Sequence, residues 1–396
     1  MTRLVKLAGV LAIMLAISAD GTAAIKDFDG GAADGNLFLT PANWNDAIGA
    51  DDDTVPGPAD RAIINAGYTV QYLTADVTTL GSLIIGADWP TTGDVGTTGR
   101  LDMNDGKIIV TGGGDNFQLG RACCNGDGIL VMFDDAELEI GGSDPVVGTR
   151  DNGVLDIGGT AAVYSTQGVD SYWRLGNYGP SFDQTPANPG GLQGNGLLSV
   201  HDNGSFRAHV IFIADNDATG EIRVADNGSV TLTGNLMPRP SGFQAGGAAR
   251  VHMIGSNATL SAFNLESESL PGEVPTSYTF EADVSGVSPI VLQDAINITG
   301  NALTVSLTAF ALPPLTKLTL FDGDQALAGN RIFGTFSSVT VNGVLNPANY
   351  TVIYDQAIGD IQLMRIPEPA TALLLGLALA AACGVQQARR RSPQSA

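Results

Sequence analysis

One pattern recurs through the middle of this chain and limits what it can fold into. Two apolar residues flank a third position, a short polar turn follows, and a second short strand begins. The first strands read Leu101-Asp102-Met103, Leu130-Val131-Met132, Leu155-Asp156-Ile157, Leu198-Ser199-Val200, Ile222-Arg223-Val224 and Val251-His252-Met253. The second strands begin at Ile108, Leu138, Val163, Phe206, Val230 and Leu260, always seven to nine residues after the first anchor. So constant an offset points to one repeated turn. Its residues, Asn104-Asp105-Gly106, Asp134-Asp135-Ala136, Asp202-Asn203-Gly204 and Asp226-Asn227-Gly228, accept positive φ or bond to nearby backbone. A third strand recurs at Phe117-Gln118-Leu119-Gly120, Val146-Val147-Gly148, Trp173-Arg174-Leu175-Gly176, Ile211-Phe212-Ile213-Ala214 and Phe243-Gln244-Ala245-Gly246. Leu83-Ile84-Ile85-Gly86 fits the same strand of an earlier coil.

First-strand anchors lie 29, 25, 43, 24 and 29 residues apart. Three short strands in a coil of about 25 residues describe a parallel β-solenoid, or β-helix, because no coil can bury its apolar side without the next. A series of antiparallel hairpins in a sandwich is the rival, since Asn-Gly turns suit it too; the fixed three-strand order favours the solenoid. The long interval holds Asn177–Asn195, rich in Pro, Gly and Asn, and reads as a loop insertion. Residues 25–98 are expected to form an N-terminal cap and first coil, with Trp44 and strands over Arg61–Asn65 and Tyr68–Leu73. Residues 99–275 are the repeats, with Leu265–Pro275 as the junction. Residues 276–365 lose the pattern and are expected to form a β-rich cap or small sandwich. The chain is thus expected to be all-β.

Composition agrees with many short strands: 51 of 396 residues are Gly and only 15% are charged. The net charge is -22; without residues 1–24 and 367–396 it is -25, from 14 basic and 39 acidic residues. Such a body repels a phosphate backbone, so no nucleic-acid partner is expected. Cys383 lies in an apolar tail, and adjacent Cys123 and Cys124 offer no distant anchors for a staple and no zinc spacing. They read as two unpaired thiols, with a strained vicinal disulfide as the alternative.

Both ends carry export signals. Arg3 and Lys6 precede the apolar run Leu7–Ile17 and the small residues Ser18-Ala19 and Thr22-Ala23-Ala24. Residues 1–24 therefore read as a signal peptide, too short in its apolar part for the roughly 20 residues of a spanning helix. At the other end Pro367-Glu368-Pro369 precedes an uncharged apolar stretch, residues 370–385, and the cluster Arg389-Arg390-Arg391. Sixteen helical residues rise about 24 Å, close to the hydrocarbon thickness. The arginines would stay cytoplasmic, and the prolines keep the approach extended.

This order of motif, apolar span and basic end resembles the PEP-CTERM sorting domain of exported bacterial proteins, here appended to autotransporter-like β-solenoid repeats. The resemblance implies a C-terminal transmembrane sorting helix over 366–396, inserted transiently through residues 370–385. It also implies recognition of Pro367, Glu368 and Pro369 by an exosortase-type membrane protease, with Arg389, Arg390 and Arg391 as the cytoplasmic stop. Delivery to the cell surface, outer membrane or extracellular matrix follows, with extracellular polysaccharide as a candidate partner. The alternative for the tail is a plain anchor that is never processed.

Catalytic signals are weak. Asp215-Asn216-Asp217-Ala218-Thr219-Gly220-Glu221, ending at Asp226, partly fits a twelve-residue calcium loop, with Asp215, Asp217, Thr219, Glu221 and Asp226 as ligands. Thr219 and the cation Arg223 depart from that pattern, and calcium is the only cofactor the sequence suggests. Asp102, Asp105, Asp134, Asp135, Asp151 and Asp156 could supply facing carboxylates to a glycosidase groove, though Asp at a turn is ordinarily structural. His201, His209 and His252 form no close pair. The expectation is therefore a non-enzymatic structural or adhesive protein. Its alternatives are a β-helix polysaccharide lyase or glycoside hydrolase, and an adhesin that binds through Asn177–Asn195.

Overall fold

A computed structural model describes residues 23–46, 53–87, 98–113, 116–121, 126–177, 194–215, 218–238, 247–269, 274–323 and 331–367. Three long sheets run through them. The first and second contain 11 strands each and the third contains 12. Within each sheet, successive coils pair in parallel and in register. Leu101, Leu130, Leu155, Leu198, Ile222, Val251, Tyr278, Leu303 and Val339 follow one another up the first sheet. Ile108, Leu138, Val163, Phe206, Val230 and Leu260 do so up the second. The repeat read from the sequence is thus the coil of a β-solenoid, with its register intact.

Alternation explains the interior. In Asn195–Val200 every second side chain is buried, and in Thr219–Ala225 and Ala248–Ile254 the same holds. The buried set from all three sheets forms one continuous core from Phe28 to Leu363. Strand spacing of about 4.8 Å makes the ten parallel strands of the first sheet some 43 Å tall. Trp173 fills the middle, 4.9 Å from the Phe206 ring and 5.6 Å from Phe117, with its Nε1 donating to Ser165 Oγ at 2.7 Å.

The corner from the third sheet back to the first is built of backbone against backbone. Gly148 has φ +77°, and a Cβ on it would lie 2.2 Å from Asn195 O. Gly86, Gly120 and Gly176 occupy the same place one coil apart, also at positive φ; Ala214 takes it at φ 60°. At the four glycines an L side chain would be strained and would also meet neighbouring backbone, whereas the fifth coil admits the small Ala214 there. At the corner between the first and second sheets, Asp134, Asp202 and Asp226 hold the left-handed turn, at φ 50°, 55° and 53°, as the turn chemistry anticipated.

Both ends are closed. In front, Trp44–Asp46 pairs antiparallel with Ile25–Phe28, and Leu37 bridges to Gln71 on the edge of the first sheet. Trp44 packs 5.1 Å from Phe28 and 4.9 Å from Phe38, and donates its Nε1 to Phe38 O. At the back, Lys317–Gly323, Asp360–Arg365 and Tyr350–Asp355 form an antiparallel set on the second sheet.

Two expectations need correction. Residues 276–365 are not a separate sandwich: Ser277–Glu281, Ile290–Leu292, Ile296–Asn297 and Ala302–Ser306 are further rungs of the same three sheets, and only the end of this stretch is cap. Likewise the third strand of the sixth coil is Leu236–Pro238, which pairs with Ile211–Ile213; Phe243–Gly246 lies outside the described residues. Also outside them are residues 1–22, Cys123, Cys124, most of the Asn177–Asn195 insertion, and everything from Glu368 onward, including Pro369, residues 370–385 and Arg389–Arg391. Among the described residues no helix is long and apolar enough to cross a membrane.

Candidate functional site: the outer face of the coils

Since inward positions are taken up by the core, any chemistry must lie on outward columns, at corners or at the ends. Of the expected sorting motif, only Pro367 is among the described residues. The last strand ends at Arg365, Ile366 N–H donates to Asn349 O at 2.8 Å, and Pro367 follows directly. The motif therefore begins where the terminal cap stops.

The candidate calcium ligands are not brought together. Thr219 and Glu221 stand on the seven-residue strand Thr219–Ala225, which runs straight through the proposed loop. That strand alone spans about 20 Å, whereas calcium ligands must converge within about 2.6 Å of one ion. Asp215 is buried at one corner, where the Arg174 guanidinium approaches it to 3.1 Å. Asp226 turns the chain at the opposite corner. Asp217 lies outside the described residues, among which no group of three or more His, Cys, Asp or Glu could hold a metal.

The other carboxylates divide between turns and flat faces. Asp105 accepts the Gly106 N–H, and Asp151, buried, accepts those of Gly126 and Asn152. Asp134 and Asp135 lie in a turn, where Thr160 donates to Asp134 O and to Asp135 Oδ1. Asp102 and Asp156 share one outward column of the first sheet, but Val131 occupies the register position between them. Asp102 is held by Arg100 at 2.7 Å, and Asp156 by His201 Nε2 at 3.2 Å. His252 Nε2 meets Glu281 at 3.0 Å, while His209 Nδ1 lies 2.9 Å from Thr233 Oγ1. The three histidines thus serve three separate places.

The second sheet gathers a denser group, which sequence reading missed. Lys107, Glu137, Ala162 and Ser205 succeed one another in one outward column; Ile109, Glu139, Tyr164, Arg207 and Thr231 do so in the next. Lys107 Nζ lies 2.7 Å from Glu139 Oε2, 3.6 Å from Glu137 Oε2, 2.5 Å from the Tyr164 hydroxyl and 5.1 Å from that ring's centroid. Glu139 first, then Tyr164, holds the ammonium well above its ordinary range; partial burial raises the Tyr164 phenol. These contacts fix the Tyr164 ring on the face. Beside it opens a cavity of about 350 Å³ lined by Tyr164, Thr166, Ser205, Arg207, His209 and Thr233. The signal was in the sequence: Tyr164 and Arg207 each follow a second-strand anchor by one residue, which puts them on the same outward column.

Repeat length varies mainly at the corner joining the third sheet to the first. Segments 88–97, 122–125, 178–193, 239–246 and 270–273 each link a third-sheet strand to the next first-sheet strand. Insertions of a solenoid collect where they leave the stacked strands undisturbed. No protein-family model, no curated protein and no solved structure matches this chain.

Proposed function

We propose that this is an exported cell-surface or extracellular-matrix protein, sorted through its C-terminal tail and processed there by an exosortase-type membrane protease. Its solenoid body has a structural or adhesive role and no catalytic one. The observation that carries the reading is the order Pro367-Glu368-Pro369, uncharged residues 370–385, Arg389-Arg390-Arg391. Its place along the chain supports it: the motif follows a completed cap, and among the described residues the hydrophobic core ends at Leu363. A protease cutting beside the motif meets an extended approach and leaves the body's packing whole. The apolar segment holds the protein in the inner membrane only until that cut.

A stiff stack with an acidic surface suits contact with polysaccharide or neighbouring cells outside the cytoplasm, where the net charge of -22 keeps it soluble. Deleting residues 366–396 in the native host tests the sorting claim. The expected result is a protein that no longer reaches the surface fraction and whose size on a gel no longer changes with maturation. Unchanged location and unchanged processing overturn it.

A further inference from the structure

We infer that the cavity between the fourth and fifth coils of the second sheet, around Arg207, is a binding site for a carboxylate-bearing sugar, a uronic-acid unit of an extracellular glycan. It deepens the glycan-contact part of the proposed function and rests on it. Arg207 is exposed, and it makes no ion pair or hydrogen bond with any described residue. By contrast, Lys107 on the same sheet and Arg174 on the next are each held by two carboxylates. An unpaired guanidinium on a protein of net charge -22 is a group kept open for an anion.

The surroundings decide which anion. Parallel register sets Arg207 directly beside Tyr164 on one side and Thr231 on the other. Tyr164 cannot swing away, because its hydroxyl is fixed by Lys107, Glu137 and Glu139. The cavity wall is completed by Thr166, Ser205, His209 and Thr233, with His209 tied to Thr233 through Nδ1. A fixed aromatic ring, hydroxyls, an imidazole and a forked cation are the groups that hold a polyhydroxylated ring carrying one carboxylate. The volume of about 350 Å³ falls within the range of small-ligand sites, about 300–1,000 Å³. A cation set among many carboxylates in an acidic body favours sparse charge, one carboxylate per sugar, over a phosphate polymer that the rest of the surface repels.

The test uses the full-length protein, purified in mild detergent, and calorimetric titration with three probes of equal length: an oligogalacturonate, a neutral galactose oligomer and polyglutamate. Saturable binding of the oligogalacturonate alone is expected. Arg207→Ala should weaken it at least about tenfold, the effect of losing a charge-assisted contact. Arg207→Lys should be intermediate, because it keeps the charge and loses the fork. Melting of both variants should match the parent, since the side chain points outward. No binding of the oligogalacturonate at millimolar concentration, equal binding of the neutral oligomer or of polyglutamate, or an Arg207→Ala protein that binds as tightly as the parent would each overturn the inference. The sorting claim fails separately: Arg207→Ala leaves tail processing unchanged, and deleting residues 366–396 leaves the cavity intact.

Discussion

If the corner between the third and first sheets is held by backbone packed on backbone, three glycine-to-alanine changes should separate its two requirements. Gly67 has φ +78° and nothing within 4 Å of an added methyl, so Gly67→Ala meets only the left-handed backbone cost. That cost is about 1–2 kcal/mol, reduced by the lower entropy of the unfolded chain, for a net loss of about 1 kcal/mol. Gly196 has ordinary φ, but its added Cβ would lie 2.2 Å from Val147 O and 2.3 Å from Gly176 N. Neither neighbour is a flexible side chain that can turn aside, so two coils must separate locally, at about 3 kcal/mol. Gly148 combines both faults, with φ +77° and 2.2 Å to Asn195 O, and should lose about 4 kcal/mol. Against a total stability of order 5–15 kcal/mol, that change is large. Urea unfolding followed by circular dichroism reads the series directly. The order expected is Gly148→Ala, then Gly196→Ala, then Gly67→Ala, from most to least destabilised. Equal midpoints for Gly196→Ala and Gly67→Ala would refute the close-packed corner and leave φ as the only role of these glycines.

Burial pushes the Tyr278 phenol well above its ordinary value of about 10. A raised folded-state value means its contribution is full below about pH 10 and is lost as pH rises further. Ultraviolet titration should show it ionising together with unfolding, and Tyr278→Phe should move alkaline unfolding upward; early ionisation alongside exposed tyrosines refutes its burial. Calcium should leave the melting temperature unchanged, because Asp215 and Asp226 lie at opposite corners. A calcium-dependent rise abolished by Asp226→Asn would contradict that geometry. Removing the tail after Ile366 should leave the melting temperature of the body unchanged, since the core of the described residues ends at Leu363; a drop of several degrees would mean that the tail packs on the cap.

The register of the solenoid was legible because the core demands it. An apolar residue at Leu155 or Leu198 can face inward only if the coils stack in step, so spacing between anchors revealed pairing between strands. The same logic failed past residue 275 for a definite reason. Tyr278 and Leu303 continue the first-strand column, 27 and 25 residues after their predecessors, but the second-strand partners Ile290 and Phe321 come 12 and 18 residues later. Lengthened turns hid coils whose pitch had not changed. Pro238 obscured the third strand of the sixth coil, because a residue without an N–H reads as a breaker, yet it pairs with Ile213. The glycines that open the first strands, at Gly128, Gly153, Gly196 and Gly220, stand two residues before each anchor and read, from sequence, as composition alone. Their role depends on how closely a neighbouring coil approaches, which no periodicity reports. Arg207 likewise could be assigned an outward column from sequence, but not its lack of a partner.

Stacking also explains how this chain can combine constancy and variation. Each coil touches mainly the coils above and below it, so stability is a sum of neighbouring interfaces. Inward columns and corner backbone fix those interfaces; Leu198, Ile222 and Gly196 have no freedom to change alone. Outward columns carry no such burden: the place taken by Glu139 in one coil is taken by Tyr164, Arg207 and Thr231 in the next three. A binding surface can therefore be assembled from adjacent coils, one residue from each, without disturbing the stack beneath. The caps extend the same separation to the ends. Trp44 seals one end and Asp360–Arg365 lies between two antiparallel partners at the other, so the stack ends before the tail begins. Under the proposed function, addressing would lie in residues 367–396 and adhesion in the outward columns, with neither constraining the other.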